Sequence, residues 1–176
     1  MRILILATAL TVAACASPAP VTTTALLSAD AATSLAVGER LIQEMSSRAG
    51  GEGMDPTVNL TLRHADGRSI NFQEANHAPN DLFVQRAGGA LAQIMGLPGE
   101  EVTTLYYATE AENEGAPFFC GPQGPAAIGK YQAPDGTLHI VGLRQSIQVE
   151  TRPDGETEAV PYSPDQVCAR LKFRRG

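Results

Sequence analysis

Apolar and polar positions alternate most regularly between Val58 and Gln73. Val58, Leu60 and Leu62 are separated by Asn59 and Thr61, and Arg63 follows. After Ala65-Asp66-Gly67, Ile70 and Phe72 alternate with Asn71 and Gln73. A period of two, interrupted by an Asp-Gly turn, predicts a β-hairpin with one buried and one wet face. Asn59, Thr61, Arg63, Ser69, Asn71 and Gln73 form the polar face. On either side of the hairpin the spacing changes to three and four. Leu35, Gly38, Ile42 and Met45 make an apolar stripe, with Ser28 as a candidate N-cap and Asp30 in the first turn, so a long N-terminal helix is expected up to Gly50-Gly51. Val84, Ala87, Leu91 and Ile94 make a second stripe, opened by Asn80 or Asp81 and closed by Gly96 and Pro98.

From Val102 onward the pattern reads as strand: Thr103–Thr109, Ala126–Tyr131, Leu138–Leu143 and Ser146–Thr151, separated by turns such as Pro134-Asp135-Gly136 and Pro153-Asp154-Gly155. Ser163-Pro164-Asp165-Gln166 has the cap, proline and returning glutamine of a helix start. It predicts a short C-terminal helix, with a strand through Val167–Phe173 as the alternative. Helix, hairpin, helix and then meandering strands give an expected α+β class with an antiparallel meandering sheet. One domain over residues 28–176 is expected, with no internal repeat.

The leader is patterned differently. In MRILILATALTVAAC, Arg2 precedes a short apolar run, and Val12-Ala13-Ala14 leads into Cys15. This resembles the lipobox of bacterial lipoproteins, and the run is too short to span a bilayer, which takes about 20 residues. The resemblance covers the leader alone. It implies a signal peptide over residues 1–14, acylation of Cys15, and a bilayer anchor through that residue. Ala16 after the cysteine, in place of Asp, implies the outer membrane facing the periplasm. Ala16–Thr24, rich in Pro, Ala and Thr and without charge, reads as a tether, so residues 15–27 are assigned to anchor and linker. An ordered first strand is the alternative, opposed by Pro18 and Pro20.

Composition narrows the function. The net charge of −6, without a Lys/Arg cluster beyond the short terminal Lys172-Phe173-Arg174-Arg175, argues against a nucleic-acid partner. With Cys15 taken by lipid, Cys120 and Cys168 are left to form a disulfide in an oxidising compartment, worth roughly 4 kcal/mol on a chain-entropy account. A nucleophilic Cys120 served by His139 or His77 is the weaker alternative.

The three histidines, His64, His77 and His139, lack zinc-site spacing, and no nucleophile elbow or phosphate loop is present, so no metal and no cofactor is expected. Two functions remain. One is a non-catalytic binding or accessory module docking an envelope protein or cell-wall partner. Its first candidate surfaces are the hairpin face around Arg63 and Asn71 and the turn around Tyr131 and Asp135. The other is an envelope hydrolase acting on peptidoglycan or a similar substrate, using His77 or His139 with a nearby carboxylate.

Overall fold

The computed structural model describes residues 19–51, 54–75, 92, 94–97, 103–109, 113–146, 149–160 and 163–176. Its core is a closed antiparallel barrel of eight strands: β1 (Val21–Ala29), β2 (Arg40–Arg48), β3 (Thr57–His64), β4 (Ser69–Glu74), β5 (Thr104–Thr109), β6 (Ala127–Gln132), β7 (Thr137–Leu143) and β10 (Val167–Arg175). Each strand pairs with the next along the chain, and β10 returns to β1, which is an up-and-down barrel. A small two-stranded ribbon, β8 (Val149–Thr151) and β9 (Thr157–Ala159), is inserted between β7 and β10.

The expected α+β class is therefore wrong: among the described residues the helical content is dominated by α1 (Ala31–Val37), which links β1 to β2. The expected long N-terminal helix is replaced by that short helix and β2. Asp30, not Ser28, is the N-cap, its carboxylate accepting from the Thr33 N–H at 2.8 Å. Leu35 of the supposed stripe is 92% exposed, while Leu41, Gln43 and Met45 face inward at every second position of β2. The helical spacing was coincidental. Gln43 sits at an inward position and Ile42 at an outward one, which hides the period of two. Val21–Leu27, grouped with the tether by composition, form most of β1. The second expected helix falls largely outside the described residues; at its end, Gly96 has a φ of 71°, and the Leu97 N–H donates to the Ala92 carbonyl at 2.9 Å. At the C-terminus the Ser163–Gln166 capping box is present, but it opens a single 3-10 turn before β10, so the short helix gives way to the strand alternative.

The β3–β4 hairpin forms where the alternation places it, with Leu60 opposite Phe72 and Leu62 opposite Ile70. These four are essentially buried and join Leu27, Leu41, Ile128, Leu138, Ile140 and Phe173 in the barrel interior. Eight strands leave an interior just wide enough for side chains to fill. A second apolar cluster, Leu105, Ala127, Val141 and Leu143, faces outward from β5, β6 and β7 and is covered by Ala75, Ile94 and Met95.

One end of the barrel is sealed by Phe118 and Phe119, held by the Cys120–Cys168 disulfide with Cα atoms 5.0 Å apart. Cys120 adopts a left-handed φ of 64°, turning the loop over the barrel end. Gly142 on β7 makes the room: a Cβ there would lie 2.6 Å from Cys120 Sγ and 3.2 Å from the Phe119 ring. The bridge joins positions 48 apart in sequence, so its chief effect is on the unfolded chain. Replacing both cysteines by alanine should lower the unfolding free energy by about 2–5 kcal/mol with the barrel retained. Thermal and urea denaturation measure this, and an unchanged midpoint would show that Phe118 and Phe119 hold the cap without the bridge.

Candidate functional site

β10 alternates apolar and basic residues. Leu171 and Phe173 point into the core, so Arg170, Lys172 and Arg174 point outward and are exposed. Cross-strand register extends this row: Lys172 lies opposite His139, which lies opposite Tyr131, and Arg174 lies opposite Ser28, which lies opposite Arg40. The permanent cations of this row are Arg170, Lys172 and Arg174 on β10 and Arg40 on β2, with the neutral Ser28 of β1 between the two strands.

Two adjoining hollows run along this patch. One, of about 290 Å3, lies between β1 and β10 and is lined by Ser28, Asp30, Thr137, Lys172, Phe173 and Arg174. The other, of about 210 Å3, is lined by Asp30, Thr33, His139, Arg170 and Lys172, with Met95 at its side. Asp30 and Lys172 border both, so the two hollows adjoin along one groove-like stretch of the surface. Its walls are fixed by the backbone. The Lys172 N–H donates to Thr33 Oγ1 at 2.8 Å, the Asp30 N–H donates to the Lys172 carbonyl at 3.1 Å, and the Arg170 guanidinium donates to the Ile94 carbonyl.

The acids at the rim are already committed. Hydrogen bonds from the Thr33 backbone and side chain hold Asp30 below the usual carboxylate range. Asp135 is lowered in the same way by Thr137, whose N–H it accepts at 2.9 Å, and then by Lys172 and Arg174. Both stay ionised, and they neutralise only part of the patch. His139 packs against Tyr131 with ring centroids 5.9 Å apart and the ring planes tilted by 46°. Burial lowers its pKa, Lys172 lowers it further, and Asp135 and Asp30 oppose the shift.

The sequence-derived candidates separate into two places. Tyr131 and Asp135 do not line the hollows: Tyr131 is buried against His139, and Asp135 lies beside the groove, bonded to Thr137. Arg63 and Asn71 lie on the other side, where the loop before Gly115 covers the hairpin's polar face. Arg63 pairs with Glu114 at 3.0 Å, the Asn71 N–H donates to Asn113 Oδ1 at 2.9 Å, and Thr61 bonds to the Asn71 side chain. Residues 76–91, His77 among them, lie outside the described residues, as does Cys15. No group of three or more metal-ligating side chains occurs among the described residues. His64 is fixed by Asp66 at 2.8 Å and by Phe118, with ring centroids 5.4 Å apart, at the sealed end of the barrel. Backbone donation from Arg68 is the main cause holding Asp66 at a pKa of about 2.

Sequence reasoning missed Arg170, Lys172 and Arg174, although their alternation with Leu171 and Phe173 is a legible strand signal. It also missed polar groups inside the barrel. Gln43 is 2% exposed and its Oε1 has no hydrogen-bond partner among the described residues, and Lys130 Nζ lies 3.3 Å from Met45 Sδ and 5.8 Å from the Tyr106 ring centroid. Burial raises the pKa of Glu74 and lowers that of Lys130, each acting to reduce the other's shift. No family model matches this chain, and neither a curated protein nor a solved structure matches it.

The sign of the His139 shift gives a test. A folded-state pKa below the unfolded value means the unfolded chain binds the proton more readily. Stability from this residue is present above about pH 6.5 and is lost as pH falls from there through the folded value. His139→Gln should shrink the drop in melting temperature between pH 7.5 and pH 5.5 relative to wild type. An identical drop in both would show that His139 carries no such linkage.

Proposed function

We propose that this chain is a lipid-anchored envelope protein whose barrel acts as a non-catalytic binding module for an acidic partner. The anchor rests on the Val12-Ala13-Ala14-Cys15 ending and the short apolar run before it. The binding reading rests on one observation: Arg170, Lys172 and Arg174 line a groove on the outside of a closed, disulfide-capped barrel. In a chain of net charge −6, a cationic patch steers acidic surfaces toward itself. His139, half-buried and packed against the buried Tyr131, lines one side of the groove. The partner class is an acidic envelope protein or an anionic cell-wall polymer.

Two measurements test the two halves. Mass spectrometry of the membrane fraction should find the chain beginning at an acylated Cys15, and Cys15→Ser should release it. An intact N-terminus would remove the anchor. For the groove, a photo-crosslinking side chain placed at exposed Ala32 should capture a partner in native envelopes, and Lys172→Glu with Arg174→Glu should cut the yield severalfold. The same crosslinker at Asn71 should capture little. Equal capture at both positions, or indifference to charge reversal, would remove the groove as the docking surface.

A further inference from the structure

The chain has two lysines, and they face opposite ways. Lys172 is exposed on the outside of β10. Lys130 follows Ile128 at the next inward position of β6, and its side chain crosses the lumen. β6 and β2 lie half-way round the barrel from each other, yet Lys130 Nζ donates to Met45 Sδ of β2 at 3.3 Å. The Tyr106 ring centroid on β5 lies 5.8 Å away. A thioether and an aromatic face replace water poorly around an ammonium. Among the described residues no carboxylate stands within ion-pair distance of it.

The charges that act on Lys130 come from β4 and β10. Arg175 shares the inward parity of Leu171 and Phe173, and its positive charge disfavours a second one on Lys130. Burial first, and Arg175 next, favour the neutral amine, and Glu74 offsets only part of this. A lysine that is desolvated and set near another cation is an activated nucleophile toward carbonyl carbon. Lys130 is half-buried, so part of the side chain still meets solvent. Gln43 supplies a second unmet demand. It lies two residues before Met45 on the same face of β2, is 2% exposed, and its Oε1 has no donor among the described residues. An O–H group brought into this part of the lumen would satisfy it.

We infer that Lys130 is a covalent capture site for apolar aldehydes. The neutral Nζ adds to the carbonyl carbon, one N–H proton passes to the carbonyl oxygen, and a carbinolamine forms. Its new hydroxyl is a donor of the kind Gln43 Oε1 lacks. Protonation of that hydroxyl lets it leave as water, and the nitrogen lone pair closes the C=N bond of a Schiff base. Burial keeps the Glu74 carboxyl more protonated than a surface acid, so it can give that proton and take one back from the iminium nitrogen. Carbonyl carbon and amine nitrogen keep their oxidation states, and water is the only product released. Met45 and the Tyr106 ring favour an apolar chain on the aldehyde over a charged one. The site is inside the barrel and the basic groove is outside it, so it stands or falls independently of the acidic-partner reading.

The test uses the full chain, hexanal as the probe, and cyanoborohydride to reduce the Schiff base to a stable secondary amine. Peptide mapping by mass spectrometry then compares the two lysines, with Lys172 as the internal control. At pH 7, Lys130 should be labelled severalfold faster than Lys172. Its labelling should saturate with hexanal concentration, while that of Lys172 rises linearly. The preference should shrink toward about pH 10, near the ordinary lysine value, and vanish in urea. Glyoxylate, a charged aldehyde, should show a smaller preference for Lys130 than hexanal does. Equal labelling of the two lysines at pH 7, linear labelling at Lys130, a preference that survives in urea, or a stronger preference with glyoxylate overturns the inference.

Discussion

Closure of the barrel rests on three residue pairs. Leu27 with Arg175, Ser28 with Arg174 and Ala29 with Phe173 join the first strand to the last, and the sheet would otherwise carry two open edges. The seam is short, but it is reinforced from both sides. Leu27 and Phe173 are almost completely buried, and α1 returns the chain over the seam with Thr33 accepting from Lys172. Burying a leucine and a phenylalanine contributes roughly 3–6 kcal/mol, comparable to the backbone bonds between the two strands at about 1 kcal/mol each. Side-chain burial and the short ladder together hold the barrel shut.

The seam also positions the groove: where β10 meets β1, the outward basic residues of β10 lie beside Ser28 and Asp30. At the opposite end, the disulfide, Phe118, Phe119 and Gly142 close the barrel, and the hairpin's polar face is roofed by Asn113 and Glu114.

The barrel interior is not uniformly apolar. Gln43, Glu74, Tyr106 and Lys130 project inward from β2, β4, β5 and β6. Each costs desolvation, and none of the close ion pairs among the described residues includes Lys130. Polar groups at inward positions weaken the alternation on which strand assignment depends, and the effect is visible in β2. Arg40-Leu41-Ile42-Gln43-Glu44-Met45 offers an apolar residue outside and a polar one inside, so its spacing imitates a helix.

The sequence alone determined what local chemistry determines. The β3–β4 hairpin followed from strict alternation around an Asp-Gly turn, the capping box from Ser163 and Gln166, and the Cys120–Cys168 bridge from the arithmetic of three cysteines. The tertiary structure decided what depends on distant neighbours. Val21–Ala25 look like linker because threonines after two prolines carry no core pattern, yet pairing with β2 makes them strand. Lys172, Arg174 and Arg175 look like a basic tail too short to matter, yet alternation with Leu171 and Phe173 places the first two on one face beside Arg170 and His139. Closure of the sheet is a contact between residues almost 150 positions apart along the chain; no window of sequence contains both partners, so no local pattern can announce it.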